Sequence, residues 1–161
     1  MKTLLCLLTI LFFKTATAQV TKVSLQASGL TCSMCSNSIY KSLKTINFID
    51  KVEPNIKTST FVVTFKPNTV VDFNKMKDKV ADAGYAIAKF VAAVNFNNVQ
   101  VKPNETVTIG NLKLRFLNVK DQALNGEKQI KIVSKDFVPA KEFKKTGLSG
   151  KLPADVYLAT I

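Results

Sequence analysis

The chain has 161 residues, enough for one medium domain or two small ones, and it carries 23 Lys and Arg residues against 11 Asp and Glu residues. It has no histidine and only three cysteines, which excludes a closed four-ligand zinc site built from Cys and His within one chain. The net charge of +12 is spread along the sequence and Arg115 is the only arginine, so the pattern does not favour nucleic-acid binding.

The first eighteen residues have the pattern of a cleaved signal peptide. Lys2 precedes a short apolar run, Leu4 to Phe13, and Ala16-Thr17-Ala18 has the small-x-small form of a signal peptidase site. The run is too short to span a bilayer and no second one follows, so we expect no transmembrane segment and a periplasmic or secreted protein. Cleavage before Gln19 removes Cys6 and lowers the net charge by two, to +10.

Residues 19–94 alternate between strand-like and helix-like patterns. Apolar residues recur at every second position in the strand-like runs, and every three or four positions in the helix-like runs. The predicted order is strand Val20–Ala27, helix Cys35–Ile46, strand Phe48–Val52, strand Thr58–Lys66, helix Val70–Ala83 and strand Tyr85–Val94. This βαββαβ order predicts an α+β, ferredoxin-like domain.

The apolar pattern and turn signals of residues 95–161 predict a second, small and mostly β domain. Its predicted strands are Thr106–Ile109, Asn111–Val119, Lys128–Val133 and Val156–Ile161, with one short helix at Ala140–Lys145. Asn125-Gly126 is a turn signal, which predicts that the second and third of these strands form a hairpin. No residues in this part form a pattern with recognisable chemistry.

The segment Gly29-Leu30-Thr31-Cys32-Ser33-Met34-Cys35 carries the chemistry of the chain. Two thiols at C-x-x-C spacing lie between a strand and a helix, and Ser33 is the predicted N-cap of that helix. A pair of thiolates is a soft donor set that selects Cu(I) or another thiophilic ion. The alternatives are a zinc site completed by carboxylates or a second copy, a disulfide that exchanges with other thiols, and a pair with only a structural role.

This segment resembles the G-M-T-C-x-x-C loop of heavy-metal-associated domains, the fold of copper chaperones and of the N-terminal modules of copper-transporting ATPases. The resemblance extends over Val20 to Val94 and includes Ala83-Gly84-Tyr85, which is similar to the family's A-G-Y before the last strand. Periplasmic mercury-binding proteins share this fold and loop. Residues 95–161 resemble no family.

The resemblance implies a non-enzymatic role in binding a soft metal and passing it on. Cys32 and Cys35 would be the metal ligands, while Leu30, Thr31 and Tyr85 would lie around them. Cu(I) is the expected ion, with Hg(II) or Zn(II) as alternatives, and a thiol-disulfide redox protein is the alternative from another class. The expected partner is a metal-transporting ATPase or another metal-accepting protein.

Overall fold

The computed structural model describes residues 19–30, 32–148, 152–153 and 155–161. The predicted signal peptide, residues 1–18, lies outside the described residues, so its cleavage stays a prediction. In the described part of the chain, no helix combines the length and the apolar character that crossing a membrane requires.

The first six elements follow the predicted order. They are β1 (Gln19–Ser28), α1 (Ser33–Lys44), β2 (Ile49–Asn55), β3 (Thr60–Phe65), α2 (Phe73–Asp82) and β4 (Ala86–Val101). The four strands lie in the order β2-β3-β1-β4, and each is antiparallel to its neighbours. The predicted ferredoxin-like arrangement is therefore confirmed.

The core of this half forms between one face of the sheet and the two helices. In β1, Val23 and Leu25 are fully buried, because every second side chain of a strand points to the same face. The helices bury residues spaced three or four apart, which form one stripe on each helix. These helical core residues are Ile39 and Leu43 of α1 and Phe73, Met76 and Val80 of α2.

Several element ends differ from the prediction, and two of them have a clear physical cause. Val70 lies before α2 and is 69% exposed, because the helix begins only after Asp72. The carboxylate of Asp72 caps the helix: it accepts hydrogen bonds from the N–H groups of Asn74 (2.9 Å) and Lys75 (3.2 Å). β2 continues through Pro54 instead of ending before it. β2 lies at the edge of the sheet, where a proline removes no ladder hydrogen bond.

The C-terminal segment extends the same sheet. Its elements are β5 (Thr106–Ile109), β6 (Leu112–Phe116), β7 (Gln122–Ile132), α3 (Ala140–Lys144) and β8 (Val156–Thr160). β7 pairs with β4, so the described strands form one sheet in the order β2-β3-β1-β4-β7-β8-β6-β5. The mostly β character of this segment and its short helix were predicted correctly.

The predicted hairpin at Asn125-Gly126 is wrong. β7 runs straight through these residues, and Gly126 lies opposite Phe96 of β4 with a φ of +70°. Between Phe96 and Val99, β4 has one residue more than the facing part of β7, so the register shifts by one residue at a β-bulge. The hairpin of this segment is instead β5-β6, closed by the two residues between Ile109 and Leu112.

The predicted boundary between residues 94 and 95 falls inside β4. Four aromatic side chains also pack across it, with ring centroids 4.9–5.7 Å apart, and we call them the aromatic cluster: Phe73, Phe90, Phe137 and Tyr157. The division of the chain into a domain of residues 19–94 and an appended segment of residues 95–161 stays a proposal about its organisation. The two parts share one sheet and one apolar core.

A second, smaller apolar cluster lies beneath α3. Leu158 of β8 is fully buried there, whereas its neighbours Tyr157 and Ala159 belong to the main core. Alternation along β8 therefore places this cluster on the opposite face of the sheet. Phe143 of α3 packs against it, and Glu142 forms an ion pair with Lys131 of β7.

Candidate metal centre

The two cysteines lie in the turn that joins β1 to α1. β1 ends at Ser28, and Gly29 then takes a φ of +77°, a conformation that glycine adopts without a steric penalty. The N-cap of α1 is Cys32 rather than the predicted Ser33: the Cys32 sulfur accepts a hydrogen bond from the N–H of Cys35 at 3.2 Å. The sequence prediction missed this because serine is the common N-cap, whereas sulfur is a weak acceptor.

The two sulfur atoms are bonded to each other in this structure. The Cα atoms of Cys32 and Cys35 are 5.3 Å apart, so both side chains reach the same point. Cys32 is exposed and Cys35 is half-buried. The pair lies at the N-terminus of α1, which has no acidic residue in its first turn, so unopposed helix N–H groups stabilise negative charge on the sulfurs when the pair is reduced.

The surroundings of the pair offer few further metal ligands. Among residues 19–30, 32–148, 152–153 and 155–161, no three His, Cys, Asp or Glu side chains lie close enough to hold one ion together. Met34, between the cysteines, is 80% exposed. The described donor set is therefore two sulfurs, open on the solvent side.

Two of the other predicted site residues, Leu30 and Tyr85, lie at the same end of the sheet. Leu30 and Tyr85 are half-buried and pack against the main core, while Thr31 lies outside the described residues. Ser28 and Ala86 are register partners, so the cysteine turn and the turn that carries Tyr85 leave the same end of the β1-β4 pair.

One contact at this end was not predicted from the sequence. The hydroxyl of Ser28 donates to the carbonyl oxygen of Ala86 at 3.1 Å and joins the two strands directly beside the cysteine turn. A single serine at a strand end carries no recognisable pattern, so only the pairing of β1 with β4 reveals it.

The chain is similar to known proteins over the part that contains the cysteine turn. The heavy-metal-associated domain model matches residues 24–86, which run from β1 to the first residue of β4 and include both cysteines. Over 63 residues the chain is 33% identical to the mercuric transport protein periplasmic component of Pseudomonas aeruginosa, covering 39% of this chain and 68% of that protein. The chain belongs to the heavy-metal-associated domain family.

Two further relatives each match less than half of the chain. A probable copper-exporting P-type ATPase of Archaeoglobus fulgidus is 29% identical over 72 residues, which are 45% of this chain but only 9% of the ATPase. The crystal structure of oxidized MerP from Ralstonia metallidurans CH34 is 31% identical, with 44% of this chain and 94% of that chain covered and a TM-score of 0.39. Residues 87–161 lie outside the range that the family model matches.

Proposed function

We propose that this protein binds Cu(I) through the sulfurs of Cys32 and Cys35 and passes the ion to a metal-accepting protein, without catalytic turnover. The observation that carries the proposal is the open pair of sulfurs at the N-terminus of α1, with no further ligand cluster among the described residues. Two thiolates suit a soft ion, and they do not suit calcium or magnesium, which prefer oxygen ligands.

Loading begins with reduction of the disulfide. A dithiol reductant gives up two electrons and two protons and itself becomes a disulfide, so the bond between Cys32 and Cys35 breaks and two thiols remain. Both thiols then lose their protons as Cu(I) binds, and the helix N-terminus stabilises the negative charge that results. In an oxidising compartment, reduction therefore limits how much of the protein is able to accept metal.

Transfer follows from the low ligand count. Because two protein sulfurs leave the solvent side of the ion open, a thiolate of the acceptor adds as a third ligand before one cysteine dissociates. The exposed Cys32 is the cysteine that an acceptor reaches directly, whereas Cys35 is half-buried. We propose Leu30, Thr31 and Tyr85 as the residues that support the loop, and a metal-transporting ATPase or another metal-accepting protein as the acceptor.

Hg(II) is the second candidate ion, and the 33% identity to a mercuric transport protein supports it. Both ions accept two thiolates, so the two relatives together favour a soft metal without selecting one. We further propose that the protein is exported, to the periplasm or outside the cell, after cleavage of residues 1–18.

Competition titrations test the proposal. The reduced protein is titrated with Cu(I), Hg(II) and Zn(II) against a chelator of known affinity, alongside the Cys32→Ser, Cys35→Ser double variant and a Met34→Leu control. We expect one Cu(I) per chain in the wild type and the control, and loss of binding in the double variant. A double variant that binds Cu(I) as tightly as the wild type refutes the site, and activity in disulfide exchange without metal binding supports the redox alternative.

A further inference from the structure

The C-terminal segment carries a concentration of positive charge that the metal site does not use. Residues 131–145 contain five lysines and two acidic residues, and one of those acidic residues, Glu142, is already paired with Lys131. The exposed lysines of this stretch, which we call the basic surface, are Lys135, Lys141, Lys144 and Lys145.

The packing of α3 sets the direction of these lysines. Phe143 faces the sheet, where it packs against the second apolar cluster. Successive residues of a helix are rotated by about 100°, so Lys141 and Lys145 lie on the side opposite Phe143 and Lys144 lies at the flank. Lys141 of α3 and the C-cap Lys145 therefore point away from the sheet, with Lys144 beside them. The half-buried apolar side chains on the sheet side are Phe143, Leu148 and Leu152.

The helix that carries most of the basic surface, α3, begins at the end of the sheet that carries the cysteine turn. Pro139, the N-cap of α3, and Ala140, its first residue, line a groove of about 440 Å³ together with Ser28 and Tyr85. Ser28 directly precedes the cysteine turn, and Tyr85 belongs to the turn beside it. The start of α3 therefore lies beside residues that flank the cysteine turn.

We propose that the basic surface binds the anionic headgroups of a phospholipid membrane. The positive charge of these lysines complements a membrane whose surface is negative. Arg115 is the only arginine of the chain, and its Nε donates to the hydroxyl of Thr106 on another strand, so the surface lacks the arginines that nucleic-acid sites use. Membrane binding would hold the cysteine turn close to an acceptor that lies in the membrane, an advantage that depends on the proposed metal transfer.

Vesicle co-sedimentation tests the proposal on the full mature chain without metal. The vesicles contain phosphatidylcholine alone or mixed with phosphatidylglycerol. A lysine near an anionic membrane contributes about fivefold to binding, so the Lys141→Gln, Lys144→Gln, Lys145→Gln variant should bind the mixed vesicles about 100-fold more weakly. A control with the same loss of charge, Lys57→Gln, Lys66→Gln, Lys102→Gln, removes three exposed lysines outside the basic surface and should lose much less.

The outcomes separate this proposal from the metal site. Binding that needs phosphatidylglycerol, weakens with added salt and depends on the α3 lysines supports it. Equal losses in both triple variants would mean that overall charge attracts the membrane, and they overturn it. Absence of binding to the mixed vesicles overturns it too, as does tighter binding to a polyaspartate peptide or to RNA. The Cys32→Ser, Cys35→Ser variant should bind vesicles like the wild type, so failure of the metal proposal leaves this result unchanged.

Discussion

Truncating Phe137 should destabilise the whole protein and not only its C-terminal segment. The side chain is 2% exposed, and its ring packs edge-to-face against Phe90 at 5.1 Å and against Tyr157 at 5.7 Å. A buried Phe→Ala change costs about 3–5 kcal/mol, because apolar contacts are lost and a cavity remains. Total stabilities are about 5–15 kcal/mol, so this single change should remove a large share and lower the melting temperature by roughly 10 °C.

Urea unfolding and hydrogen exchange measured on proteolytic peptides test this expectation. Phe48→Ala is the reciprocal variant: Phe48 is 5% exposed, and its ring packs against that of Phe65 at 5.9 Å, a pair that lies within residues 19–94. If the shared sheet and aromatic cluster couple the two parts, either variant should weaken protection in peptides from both. The reasoning is refuted if Phe137→Ala costs less than about 1 kcal/mol, or if it weakens protection only after residue 94.

Three further predictions concern α2 and its neighbours. Asp72→Ala should cost about 1 kcal/mol of stability, because the N–H groups of Lys75 and Asn74 lose this acceptor, although the N–H of Asn74 keeps its hydrogen bond to the Tyr157 hydroxyl. An unchanged urea midpoint would contradict this role. Gly84→Ala should cost a similar amount, about 1 kcal/mol, because alanine is strained at a φ of +87°. An added Cβ meets no atom within 4 Å, so the backbone strain is the whole cost, and an unchanged melting temperature would show that the strain is absent. Burial raises the pKa of Tyr157 to about 12, above the value of about 10 in an unfolded chain, so its stabilising contribution is complete below pH 10 and is lost as the pH rises towards 12. Ultraviolet titration should show this late tyrosine in the wild type, and the same late step in Tyr157→Phe would refute the assignment.

The sequence was sufficient to predict the order of helices and strands in residues 19–94, because the apolar pattern of each element is visible over a short stretch. Val23 and Leu25 alternate with polar residues, and Ile39 and Leu43 recur at helical spacing, so each element's pattern agrees with its place in the fold. The ends of α2 and β2 were harder to predict. They depend on which side chain caps the helix and on which strand lies at the sheet edge.

The C-terminal segment was harder to predict because a local turn signal there conflicts with the strand pairing. Asn125-Gly126 has the local signature of a turn, yet pairing with β4 keeps both residues in a continuous strand. Tyr157 likewise reaches Asp72 and Asn74, more than eighty positions away, through its hydroxyl. Neither contact has a local signal that a single sequence would reveal.

Some features of the candidate site could likewise be predicted from the sequence, whereas others required the structure. The spacing of Cys32 and Cys35 and the preceding strand were visible in the sequence, and the structure brings the two sulfurs together. The role of Cys32 as N-cap and the Ser28–Ala86 contact required the folded geometry. The direction of the α3 lysines also required it, because it follows from the packing of Phe143 against the sheet.

X-ray absorption at the copper K-edge of the Cu(I)-loaded, reduced protein tests the central claim most directly, because it counts the atoms bound to the metal. We predict two sulfur neighbours and no nitrogen or oxygen neighbours, with an unchanged spectrum for Met34→Leu. A spectrum with nitrogen or oxygen ligands, or with copper still bound to sulfur in the Cys32→Ser, Cys35→Ser variant, would contradict a metal site made of these two cysteines.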